Sequence, residues 1–332
     1  MKLIYQTLLT LCCVSLIIAA ACKKHNNNVS TISPPINQLF SDLRSTPQNF
    51  TVTAGKNQTI IGTDSTVVNF YPNSFKDKNG NIITSGTVSI QLLEMYKPGD
   101  MIANRTSATA NGQLIQSGGQ IKILATMNGQ EVFANKYGLA FKQPGFLSKR
   151  MELYYGGVTG SDSVTTWSIT DTTKNGTKSY CVIKNDTTNN GKDTSRHYDN
   201  WPNIYYLFDS CTTFNWINCD HFFGDSTINS SITINFPDNS YTIYNTQIFI
   251  VFPKINSSQT FYGTYNSANT SITNSSVRLP KGQNIEIAVI ANKNGTFYYF
   301  AQTGIATANT ISITAAMATE TRGDIIARLL GL

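Results

Sequence analysis

Histidine almost drops out of this chain. Among 332 residues there are three, His25, His197 and His221. A serine or cysteine nucleophile activated by imidazole would have to be built on His197 or His221. No Gly-x-Ser-x-Gly motif accompanies them. Charge is sparse as well: 25 Lys and Arg stand against 19 Asp and Glu, 13% of the chain, for a net +6. The basic residues form no stripe, which argues against nucleic acid as a partner. Gly-x-Gly-x-x-Gly and Walker spacings are missing, so no cofactor is expected. No two acids stand out as a pair flanking a scissile bond.

Metal ligands are equally thin. Cys219, Asp220 and His221 offer at most three donors, adjacent on an expected strand where neighbours face opposite ways, whereas zinc usually takes four. Asp77, Asn79 and Asn81 alternate as in a calcium loop. The twelfth position counted from Asp77 is Val88, where a bidentate Glu is needed, and a hairpin turn is the better reading. No metal is expected.

Cysteine is limited to six residues. Cys12 and Cys13 fall in an apolar run near the start. Cys22 follows that run, leaving Cys181, Cys211 and Cys219 in the body of the chain. Cys211 and Cys219 are the nearest pair and suit a disulfide if their strands lie side by side. Cys181–Cys219 and Cys181–Cys211 are the alternatives.

What the sequence does have begins at its N-terminus. Lys2 precedes a mostly apolar stretch from Leu8 to Ile18, then Ala19-Ala20-Ala21 and Cys22. A positive head, an apolar middle and small residues before a cut site make a secretory signal over residues 1–21. With Cys22 directly after, the segment resembles the lipobox of bacterial lipoproteins, with Ala19 where that pattern usually has Leu. The resemblance implies acylation of Cys22 and attachment to a lipid bilayer. Roughly 0.8 kcal/mol per buried methylene lets two or three acyl chains hold a domain at a membrane for long periods. An ordinary signal peptide cut after Ala21 and a membrane-spanning anchor are the alternatives. The anchor would leave Lys23 and Lys24 on the outer side, against the positive-inside tendency. Residues 22–47 then read as a lipidated tether, rich in Asn and Ser, with a short amphipathic helix at 36–44 carrying Ile36, Leu39, Phe40 and Leu43.

The rest reads as β structure. Thr87–Leu92 and Ser231–Phe236 alternate polar and apolar residues, the signature of half-buried strands. Six Asn-Gly pairs occur, at 79–80, 111–112, 128–129, 175–176, 190–191 and 294–295. Both residue types accept positive φ, as type I′ turns require. The pairs at 128–129 and 294–295 sit between good strand patterns and predict hairpins. Near the end, Ile325, Ile326, Leu329 and Leu330 share one helical face, with Thr321 and Asp324 as a capping pair. The expected fold is mainly β: two β-sandwich-like modules with a short C-terminal helix. Residues 48–145 make the first module, 146–227 an irregular, mixed connecting region, and 228–332 the second.

Two resemblances follow. "VVNFYPNSFKDKNG", "TVSIQLLE" and "GGQIKILA", within 60–133, are similar to a ZU5-type β-sandwich. "NWINCDHF", 215–222, resembles a Trp-Ile-Asn-Cys-Asp motif of uncharacterised lipoproteins from Gram-negative bacteria, with His221 where Arg is usual. Both imply an extracytoplasmic β-protein and neither implies a reaction, and ZU5-type modules generally serve interaction; the expected location is the outer membrane, on its periplasmic face or the cell surface. Exposed aromatics on strands make platforms for sugars or proteins. Trp201, Tyr205 and Trp216 are the candidates for such ligand-facing residues, with stiffening of half-buried sheets as the alternative role. The expectation is a non-enzymatic envelope lipoprotein that binds a protein or glycan or serves as a structural module. The alternative is an anchored hydrolase acting on polysaccharide or peptide.

Overall fold

Strands follow the sequence signals most closely at the turns. The computed structural model describes residues 34–142, 151–159, 164–169, 182–184, 205–224 and 226–332. Asn128 and Gly129 take φ of 51° and 76°, and Asn294 and Gly295 take 53° and 88°, the positive pair that a type I′ turn needs. The second of these turns joins Asn284–Lys293 to Thr296–Ile305, paired antiparallel along their full length. The pair 111–112 makes a third such hairpin, joining Thr106–Ala110 to Gln113–Met127. The pairs at 175–176 and 190–191 lie outside the described residues.

The protein is mainly β, with two sandwich-like modules. In the first module one sheet runs in the order Gln48–Thr53, Thr87–Met95, Gln113–Met127, Asn215–Phe222, Glu152–Thr159, Val164–Ile169, Thr106–Ala110. Its last strand returns to pair with Gln113–Met127, so the sheet curls onto itself. The facing sheet is Val182–Lys184, Tyr205–Cys211, Tyr137–Lys142, Val67–Phe70, Gln58–Ile61. Alternation fixes the inner face: Val88, Ile90 and Leu92, then Ile121 and Ile123, then Ile217 and Cys219 fill one core with Phe70, Phe75, Tyr137 and Phe141. A one-residue slip would turn every one of these outward.

Residues 146–227, expected to be an irregular connector, instead supply five strands to these two sheets. The stretch reads poorly because its strands do not alternate cleanly. "ELYYGGVT" holds two glycines, and "NWINCDHF" is buried at six of its eight positions.

The second module packs Thr264–Asn266, Ser271–Pro280, Thr227–Asn235 and Thr310–Thr314 against a five-stranded sheet. That sheet runs Ser257–Thr260, Thr246–Phe252, Asn284–Lys293, Thr296–Ile305, Ala318–Glu320. Ile248, Ile250 and Phe252 face the core between these sheets. Phe249 and Val251 point the other way, into a layer of helices. Burial on both faces is why this strand is an unbroken apolar run.

Three helices form that layer: α1 (Pro34–Leu43), α2 (Pro98–Asn104) and α3 (Arg322–Leu330). Ile36, Leu39, Phe40 and Leu43 of α1 meet Ile102 and Ala103 of α2 and Ile325 and Leu329 of α3 over Phe249, Ala288 and Ile290. The first and last helices match the expected amphipathic stripes. Thr321 caps α3 by accepting the Asp324 N–H at 3.1 Å. Of its expected apolar face, Leu330 stays 42% exposed. Helix α2 carries no readable stripe at seven residues. It starts on Pro98, and the Asp100 carboxylate accepts the Lys97 N–H at 3.2 Å. Gly99 is required there, since a Cβ would stand 2.0 Å from the Leu329 carbonyl oxygen. Asn256 joins the modules, donating from Nδ2 to the Tyr96 carbonyl at 2.9 Å.

Among the described residues no helix is long and apolar enough to cross a membrane.

Candidate functional site

Three adjacent strands of the first module carry one side-chain row on the sheet face away from the core. Leu93 and Lys122 are register partners, and so are Lys122 and Trp216. Gln91 and Leu124 form the neighbouring row. Alternation puts these side chains opposite Leu92, Ile123 and Ile217. Above them lie the end of α1, with Ser41 and Arg44, residues 45–47, and Asn104 at the end of α2. Together they enclose a cavity of about 430 Å³, within the range of small-ligand sites.

The wall is placed by hydrogen bonds. Arg44 donates from Nε to the Ala103 carbonyl at 3.0 Å, tying α1 to α2. Asn104 donates from Nδ2 to the Asp100 carbonyl at 2.9 Å. The Lys122 ammonium stands 4.9 Å from the Trp216 ring centroid. Burial lowers the pKa of Arg44, and burial followed by repulsion from Arg44 lowers that of Lys122. Among the described residues, those lining the cavity include no carboxylate, histidine or cysteine; they offer two cations, amides, hydroxyls and an apolar floor.

Trp216 is 6% exposed and packs with Leu93, Met95, Tyr154 and Trp167. It contributes to the cavity floor and does not stand out as a platform. Among the described residues its indole N–H has no hydrogen-bond partner. Tyr205 begins the strand Tyr205–Cys211 in the opposite sheet. Trp201 lies outside the described residues.

Beyond Trp216 the same strand turns polar and closed. Asn218 and Asp220 are both fully buried. A bulge in the facing strand lets Asp220 pair with Ser117 while Asn218 pairs with Gln120. Gly119 lies in that bulge at φ 121°, where a Cβ would meet the Tyr96 ring at 2.5 Å. Asn218 donates from Nδ2 to one Asp220 carboxyl oxygen. Burial lifts the Asp220 carboxyl well above the usual range, against the hydrogen bonds from Ser117 and Asn218. His221 Nδ1 donates to the Phe222 carbonyl at 2.7 Å.

The expected bridge between Cys211 and Cys219 is not made; both are buried thiols. Cys211 ends a strand of one sheet, paired with Tyr137, and Cys219 lies on the other, paired with Leu153. Facing sheets stand about 10 Å apart, too far for a bond that needs Cα atoms within about 7 Å. The Asp77 stretch is a turn: its Oδ1 accepts the N–H groups of Asn79 and Asn81 at 2.8 and 2.9 Å, and its Oδ2 accepts the Asn81 amide at 3.0 Å. Among the described residues no three His, Cys, Asp or Glu are grouped to hold a metal.

Arg44 and Lys122 went unnoticed in the sequence because the site is assembled by register and by a helix end, neither of which leaves a local motif. No family model and no curated protein matches the chain.

Proposed function

We propose that this protein is a lipid-anchored, non-enzymatic binding module of a bacterial outer membrane, holding a glycan or protein ligand outside the cytoplasm. The single observation that carries the binding half is the cavity over Leu93, Lys122, Leu124 and Trp216. It is a preformed concave site with few, convergent polar groups. The anchoring half rests on Cys22 and the small residues before it.

Two measurements test it. Detergent-phase partitioning of the expressed chain and of Cys22→Ser should separate them, with the variant moving to the aqueous phase; equal partitioning ends the anchor reading. A glycan and envelope-protein binding panel with the full chain in detergent should give a ligand whose binding falls in Lys122→Gln. Turnover of a polysaccharide or peptide would replace this reading with that of a hydrolase.

A further inference from the structure

The binding reading above leaves the ligand's chemistry open, and the cavity's charges narrow it. Arg44 and Lys122 stand on one site, and among the described residues neither forms an ion pair. Two like charges held together and partly desolvated are unfavourable unless something of opposite sign joins them. The Arg44 guanidinium spends its Nε on the Ala103 carbonyl, which fixes the plane of the fork and leaves the two Nη groups for a bidentate acceptor. Around the cations, Gln91 and Asn104 supply amides, and Ser41, Ser45 and Thr46 supply hydroxyls. Leu124, 36% exposed, offers an apolar surface beside them. An inorganic anion would use the cations and leave the apolar floor and the ring of neutral polar groups idle. A neutral sugar would use the floor and the polar groups and leave the cations unbalanced.

We propose that the cavity takes a carboxylate-bearing sugar: its carboxylate bridges Arg44 and Lys122, its hydroxyls meet the amides and serines, and the apolar face of its ring lies on Leu124. This rests on the cavity being a ligand site. Discrimination then comes from charge, because a bidentate charged contact is worth well over the tenfold that about 1.4 kcal/mol represents.

The test is calorimetric titration of the full chain, held in detergent, with digalacturonate, its dimethyl ester, and inorganic phosphate. The acid should bind about tenfold or more tightly than the ester, and weaken as salt is raised. Arg44→Gln and Lys122→Gln should each remove most of that preference. Leu124→Glu, at an exposed position, should abolish acid binding without changing the melting temperature. Ester and acid binding equally, both sensitive to Leu124→Glu, would overturn the carboxylate assignment and keep a glycan site. Phosphate binding as well as the acid would overturn the sugar. Failure of all three probes, with folded protein and with another ligand lost in Lys122→Gln, would overturn this proposal and leave the binding reading standing.

Discussion

Lys122 and Trp216 are register partners on adjacent strands, and the ammonium of one lies over the indole of the other. The pair joins a structural residue to a chemical one. Trp216 closes the apolar cluster on the sheet's outer face, and Lys122 uses that closed surface as a low-dielectric base from which its charge meets the cavity.

Trp216 therefore separates volume from hydrogen bonding. Its ring is buried, while among the described residues its N–H lacks a partner. Trp216→Phe gives up some area and also the unsatisfied donor, so unfolding free energy in urea should change by about 1 kcal/mol or less. Trp216→Ala leaves a cavity and should lose about 3–5 kcal/mol. Equal losses in the two variants would mean that the N–H is bonded.

Asp220 sets a pH dependence of unusual sign for a carboxylate. Its folded pKa is raised by burial, so the folded chain holds a proton that the unfolded chain releases near pH 4. The stability this supplies is complete below about pH 4 and is lost as pH rises toward the folded value. Asp220→Asn has no such proton to lose. Its urea midpoint should fall less than the parent's between about pH 4 and about pH 8; identical slopes would place an ionised carboxylate at this position.

Glu94 ties a loop to the sheet. Its carboxylate accepts the N–H groups of Asp64 and Thr66 at 3.0 and 2.9 Å and the Gln48 amide at 2.7 Å. Glu94→Gln replaces one acceptor oxygen with a donor facing donors. A loss of about 2–3 kcal/mol in denaturant is expected, in line with charge-assisted hydrogen bonds. A shift within error would show that the loop finds other partners.

Cys211 and Cys219 are both buried, and no peptide linking the two should be found when the protein is unfolded and digested without reductant. Peptide mapping by mass spectrometry reads this directly. A Cys211–Cys219 linked peptide would contradict the placement of the two strands in opposite sheets.

Much of this fold is legible in the sequence, and the reasons differ by element. Asn128-Gly129 and Asn294-Gly295 announce their hairpins because positive φ is a local demand. Helix α3 is legible because its cap and stripe fall within ten residues. Helix α2 is not: it is shorter than two full repeats of an apolar stripe, and its burial comes from partners far along the chain. The strand at 215–222 hides for the opposite reason, being buried at six of its eight positions so that alternation disappears, and the strand at 152–159 is interrupted by two glycines. The site divides in the same way. Trp216 draws notice as an aromatic in a polar setting. Its meeting with Lys122 and Arg44 depends on strand order, which no window of sequence contains. The disulfide expectation failed on the same point, since nearness along the chain placed the two cysteines in different sheets.

The helix layer binds the two ends of the described chain. Asp42, near the end of α1, pairs with Arg322, at the start of α3, and Leu39 and Leu329 share one cluster. The apolar stripe of α1 thus waits for residues 322–330 to be delivered, and contacts of such long sequence separation form slowly. A chain cut short before residue 322 leaves the apolar stripe of α1 partly uncovered, beside the cavity wall that Arg44 builds. Closure of the α1 stripe is in this way tied to residues 322–330, so a copy lacking them presents a sticky helix beside the cavity wall.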